Sequence, residues 1–207
     1  GVVNVVTRDG GPKFEGSVSL GGSSYYTDNT DIFVGLDPSI NTSQDIKFSL
    51  GGPVIGDKVT FFSNVRVQTN NGHLNGLRLF EVDNYSNFYG DDPTTWFSEK
   101  TGDSSYVSMN SSNNLSALFK LSFNLFNGIR FSTLYSHSND SWQGYDHSFK
   151  YNPDGRSTDH KVTNYFAFQL NQMFSQKLFY ELKYSVVDND YGSYVSVSYT
   201  HLRAHET

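Results

Sequence analysis

Between Ser43 and Thr69 apolar residues fall on alternate positions in two runs separated by a few turn-forming residues. In the first run Ile46, Phe48 and Leu50 are interleaved with Asp45, Lys47 and Ser49. In the second, Val59, Phe61, Val65 and Val67 are interleaved with Lys58, Thr60, Asn64, Arg66 and Gln68. Side chains alternate faces along a strand with a period of two, so each run has one apolar and one polar face. Gly51, Gly52, Pro53 and the pair Gly56 and Asp57 supply turn chemistry between them. The pattern predicts an antiparallel hairpin with strands at about 43–52 and 58–69.

The rest of the chain repeats this design. Further strands are predicted at about 13–26, 114–125, 129–138, 161–172 and 177–188. Examples are Leu115, Ala117, Phe119, Leu121 and Phe123 against Ser116, Lys120 and Ser122, and Leu178, Tyr180, Leu182, Tyr184 and Val186 against Glu181, Lys183 and Ser185. No helical period competes at any length. A short β-branched run, Val2 to Val6, precedes a linker from Thr7 to Pro12. The expected fold class is all-β, an antiparallel up-and-down meander of about seven long strands.

Connection lengths sharpen this. Long loops are expected at about 27–42, 70–112 and 139–160, and tight turns at about 53–57, 126–128 and 173–176. Long and short alternate without exception. Soluble strands usually run ~5–6 residues, whereas membrane-spanning strands need ~9–11. Outer-membrane barrels place short turns in the periplasm and long loops outside. Lys47, Arg66, Lys120, Arg130 and Lys183 all fall on the polar face, and the apolar face carries almost no charge. A charge facing lipid near the midplane costs ~2–4 kcal/mol. Tyr26, Phe61, Phe123, Tyr135 and Tyr180 sit near strand ends on the apolar face, as interfacial aromatics do. The alternative is a soluble β-sandwich, in which the apolar stripes meet a second sheet.

Composition excludes several classes. There is no Cys, hence no disulfide, thiolate metal site or Cys nucleophile. The net charge of −6 is spread without a basic stripe, which argues against a nucleic-acid partner. No run reaches the ~20 apolar residues of a spanning helix. No signal peptide is present, and Gly1 opens directly into a valine-rich run, so the chain is expected to begin inside a longer protein.

Gly1 to Arg8, GVVNVVTR, resembles the closing strand of the plug domain of TonB-dependent receptors, and FSLGGPVIGDKVTFF resembles the first periplasmic turn of their barrels. The stretches from Gly72 to Trp96, Val107 to Asn110 and Phe149 to Arg156 resemble large receptors of this class from Bacteroidetes-like bacteria. The resemblance covers about residues 1–196. It implies a barrel of about 22 strands closed by an N-terminal plug. Residues 1–11 would be the end of the plug, and 12–196 the N-terminal part of the barrel. It implies import of a scarce nutrient of the siderophore, oligosaccharide or peptide class. The implied partners are outer-membrane lipid, the TonB complex through a missing N-terminal region, and an unknown small ligand. The implied location is the bacterial outer membrane. A β-rich surface or adhesion protein without transport is the second reading. Residues 197–207 resemble translated sequencing-adapter read-through.

Catalytic and cofactor sites are not expected. His73, His137, His147 and His160 show no metal-ligand spacing, and no Ser lies on a nucleophile elbow. Asp91 with Asp92, and Asp188 with Asp190, offer oxygen ligands of the kind Ca²⁺ takes, but polar turn residues are the simpler reading. The pairs Gly10–Gly11 and Gly51–Gly52 are read as turn glycines. The best ligand candidates are the loop aromatics Tyr85, Tyr89, Trp96, Trp142 and Tyr145, which could stack on sugars or contact peptides.

Overall fold

A computed structural model describes residues 7–36, 42–126, 128–175 and 177–195. The valine run before Thr7 and the tail from 197 onward lie outside the described residues. The strands are β1 (Glu15–Ser23), β2 (Ser43–Ile55), β3 (Val59–Asn70), β4 (Asn75–Leu77), β5 (Ser86–Asn87), β6 (Phe97–Ser98), β7 (Tyr106–Ser108), β8 (Ser112–Phe126), β9 (Ile129–Trp142), β10 (Thr158–Ser175) and β11 (Leu178–Tyr194). Three single 3₁₀ turns, at Pro93–Thr95, His147–Phe149 and Pro153–Gly155, complete the list. The seven long strands form one antiparallel sheet in the order β1-β2-β3-β8-β9-β10-β11, each beside its predecessor among the long strands. The expected meander is therefore present, and the four short strands belong to the loops.

The sheet is a single layer. Its described buried apolar side chains are only Val59 and Leu134, while Phe14 is 68% and Leu20 74% exposed on the face that alternation marks as apolar. Among the described residues the other two sheets are the two-stranded pairs β4-β7 and β5-β6 of the loops, so no second layer of the kind a sandwich needs is seen against the apolar face. The apolar face is held within the sheet by ring contacts across strands. Phe61 stacks near Phe119 at 6.4 Å, and Phe123 lies over Phe131 at 4.2 Å. On the polar face Arg66 donates two hydrogen bonds to Asp45 at 2.8 and 2.9 Å, with Lys47 beside it at 3.1 Å.

The register carries a steady stagger. Val59, paired with Ile55 at the β2–β3 tip, pairs on with Phe123, then Phe131, Leu170 and Leu182. The β10–β11 tip lies at Leu178, so the tips shift by 182 − 178, four residues, over four strand spacings. The β8–β9 tip, at Ile129, falls midway. The apolar belt is oblique to the register in the same sense. Leu20, Ile46, Val67 and Leu115 form one apolar row, whose continuation is Asn139, Val162 and Asp190.

Five strand boundaries differ most from expectation. β1 stops at Ser23, so Tyr26 lies beyond it. β2 runs through Gly51, Gly52 and Pro53 to Ile55, leaving the turn to Gly56, at φ +52°, and Asp57. Gly51 and Gly52 are thus strand residues. A Cβ on Gly52 would lie 2.5 Å from the Phe14 ring, and the strand is narrow there because a ring crosses it. β9 and β10 extend to Trp142 and from Thr158, shortening the third long loop. β11 continues past Val186 to Tyr194, so Asp188 and Asp190 are paired strand residues and not a turn.

Candidate functional site

Two places gather polar and aromatic groups: the ends of the long loops, and the polar face near the tight turns.

At the loop end, residues of three connections interlock. Leu77 N–H donates to Lys150 O, and Leu79 and Phe80 N–H both donate to Tyr151 O. Asn75 donates through its amide to the carbonyls of Val34 and Gly35. Arg78 is the centre of the knot, donating to Asp154 at 2.5 Å, Asp103 at 3.2 Å and Ser105 at 3.0 Å. These carboxylates and their hydrogen bonds raise its already high pKa. Met109 is 0% exposed beneath β4 and the Pro153–Gly155 turn. The most buried apolar side chain described therefore belongs to the loops and not to the sheet. A Cβ on Gly76 would lie 2.6 Å from Met109 Sδ and 2.8 Å from Lys150 O, so only glycine fits between them.

From this cap projects a finger, Glu81 to Glu99. Its base is clasped by Asn84, whose Oδ1 accepts from the N–H groups of Glu81 and Thr101 and whose Nδ2 donates to Thr101 Oγ1. β5 and β6 pair Ser86 with Ser98 and Asn87 with Phe97, and Tyr85 N–H donates to the Glu99 carboxylate at 2.8 Å. Asp92 caps the Pro93–Thr95 turn through Thr94, whose hydrogen bonds hold the Asp92 carboxyl below its ordinary value.

The five aromatics predicted as ligand groups do not converge. Tyr85 packs on Phe97 at 5.8 Å and Trp96 meets Phe88 edge-on at 6.2 Å, both pairs on the finger. Trp96 Nε1 donates to Gly90 O. Tyr89, 88% exposed, lies on the same finger. Tyr145 instead hydrogen-bonds His147 Nδ1 at 2.8 Å. Trp142 is a strand residue at the end of β9, 6.3 Å from Tyr191. Three of the five thus share one element and two do not.

The four histidines are separate. His73 lies between Tyr25 and Phe33, His137 contacts Asn164 at 2.9 Å, and His160 stacks on Tyr194 at 4.6 Å. Among the described residues no three acidic or His side chains converge to hold a metal.

The second place was not foreseen from sequence. Asp9 lies on the polar face, paired with Lys120 at 2.8 Å and with Arg130, and accepting from Ser122 Oγ at 2.7 Å. Lys120 also donates to Thr7 Oγ1 and O. Ser122 is 1% exposed as a result. Burial pushes the Asp9 carboxyl up, but the hydrogen bonds from Lys120 and Ser122 and the charges of Arg130 and Lys120 outweigh it and leave the value below the ordinary one. Gly10 lies so close over the backbone of Phe61 that no Cβ would fit, and it borders Gly51. Arg8 completes the contact, pairing with Glu15 at 2.6 Å and lying 5.8 Å over the Phe62 ring. The Gly10–Gly11 and Gly51–Gly52 pairs, expected in turns, include the small residues that let two backbones meet here.

No protein-family model matches this chain, no curated protein matches it, and no solved structure matches it.

Proposed function

We propose that this chain is a section of the wall of an outer-membrane β-barrel of about 22 strands. The whole protein is read as a TonB-dependent receptor importing a scarce nutrient. The observation that carries this is a two-faced single sheet whose apolar face is bare while Thr7 to Gly10 is already bound to its polar face. In water, exposed Leu20, Phe48 and Leu182 would be a liability; against lipid they are the required surface.

The stagger supports the same reading. One residue per strand is a rise of about 3.3 Å over a spacing of about 4.8 Å, a tilt of about 35°. Membrane barrels tilt their strands by ~35–45°. The oblique belt follows, because a belt parallel to the membrane must cross tilted strands at different register positions. Asp188 and Asp190, at the loop end of β11, then lie above the lipid. On this reading Thr7 to Gly11 is the end of a plug lying in the lumen, the loop cap faces outward and the tight turns face the periplasm. TonB would engage chain preceding Gly1, and the ligand would meet the outer loops.

These 207 residues carry no Cys, and any Cys elsewhere in the full-length gene is replaced by Ser for the test. The full-length gene is expressed with either Asp91→Cys in the finger or Asp57→Cys in the first tight turn, and intact cells are treated with a membrane-impermeant maleimide. Asp91→Cys is expected to label in intact cells, and Asp57→Cys only after permeabilisation. Equal labelling, or recovery in the soluble fraction, would overturn the topology. Uptake of a bound nutrient that stops when the inner-membrane proton gradient is dissipated separates a receptor from an adhesion protein; binding without such uptake favours the latter.

A further inference from the structure

We infer that the finger from Glu81 to Glu99 is a docking surface for arginine- or lysine-bearing peptide segments. The inference names an occupant for the outer loops and does not require transport, so its failure leaves the labelling experiment above untouched.

The finger holds its apolar groups outward. Val82, Tyr85, Phe88, Tyr89, Trp96 and Phe97 are all exposed, although the buried knot around Met109 lies in the same connection. An exposed aromatic set of this kind marks an interaction surface. It is not the by-product of a floppy loop. The Asn84 clasp, the β5–β6 pairing, the Asp92 cap and the Trp96 Nε1 bond to Gly90 fix its shape, and a fixed surface loses little entropy on binding.

Charge then selects the occupant. From Leu79 to Glu99 the chain carries Glu81, Asp83, Asp91, Asp92 and Glu99 and no Lys or Arg. Glu99 and Asp92 hold the finger's own backbone, while Asp83 and Asp91 are exposed on the same finger as the rings. A finger that exposes both carboxylates and Tyr and Trp rings suits a segment bearing guanidinium or ammonium groups, which pair with acids and also lie over aromatic rings. A neutral sugar would also use the rings and donate hydroxyl hydrogen bonds to the carboxylates, but it carries no charge to answer five acids with no Lys or Arg among them. An anionic ligand would be repelled.

The test uses the full chain in detergent micelles with Trp142→Phe, which leaves Trp96 as the sole tryptophan. Tetra-arginine, tetra-glutamate and maltotetraose are titrated while Trp96 emission is followed. Tetra-arginine is expected to shift the emission saturably and to bind less tightly as salt rises. Combining Asp83→Asn and Asp91→Asn should weaken it roughly tenfold, and Tyr89→Ala by roughly threefold or more. Asp188→Asn with Asp190→Asn, acids outside the finger, should change nothing. Saturable binding of maltotetraose in place of tetra-arginine would overturn the inference in favour of a glycan surface. Tetra-arginine binding insensitive to the finger variants, or no binding, would also overturn it.

Discussion

The side chains that organise the loops are few, and each can be tested singly. Met109 is fully buried in the loop cap, as is Pro153 beside it, so Met109→Ala should cost the cap about 2–5 kcal/mol. Faster proteolysis across 72–110, with strand signals unchanged, is the expected readout; an unchanged rate would mean the cap does not depend on that contact. Acid should act on the same region. The hydroxyl and N–H of Ser105 hold Asp103 below its ordinary value of 3.8, with Arg78 adding to them, and Ser148 does the same for Asp146, with Arg156 adding. A carboxylate with a lowered folded value stabilises fully above the unfolded value and loses that contribution as pH falls through the folded one. Loop protection measured by hydrogen exchange should therefore be flat from about pH 5 to 8 and fall below about pH 4. Loss already at pH 6 would point to a His and not to these acids.

At the scale of strands, the alternation was legible because its cause is local. A period of two is written in neighbours, so β2, β3, β8, β9 and β10 could be placed from residues such as Ile46, Phe48 and Leu50 alone. The cap was not legible, because its contacts join distant positions: Asn75 to Val34 across 41 residues and Arg78 to Asp154 across 76. The Asp9 contact spans 113 residues to Ser122. Gly51 and Gly52 misled for a related reason. Glycine marks turns and close approaches alike, and only the Phe14 ring and Gly10 on either side distinguish them. The strand faces also make a prediction. Phe119 is near the middle of β8 on the bare face, and Ser116 lies on the polar face of the same strand. Phe119→Arg should destabilise the full-length protein in lipid vesicles by ~2–4 kcal/mol, and Ser116→Arg by much less. Equal effects in urea titrations would show that the two faces do not see different solvents.

For the whole molecule, the question is what covers the bare face and the two outer strands. The sheet offers no buried layer to drive folding in water: its described buried apolar side chains are Val59 and Leu134, and the loop cap adds Met109. Hydrophobic burial is the main term opposing the entropy of ordering a chain, and here most of the apolar area stays exposed. Among the described residues β1 and β11 each pair on one side only and leave backbone groups open on the other. Open edges next to an apolar face invite pairing between copies. The 207-residue chain alone should therefore associate or stay largely unfolded in detergent-free buffer. In micelles the bare face is covered, and circular dichroism should gain strand signal while light scattering falls. The loop cap is the part expected to keep local structure in either medium, because its contacts are hydrogen bonds, ion pairs and the buried Met109 and Pro153 and do not need the belt. A monomer that melts cooperatively in plain buffer would show that the apolar face folds onto itself, and the lipid reading of the sheet would fall with it.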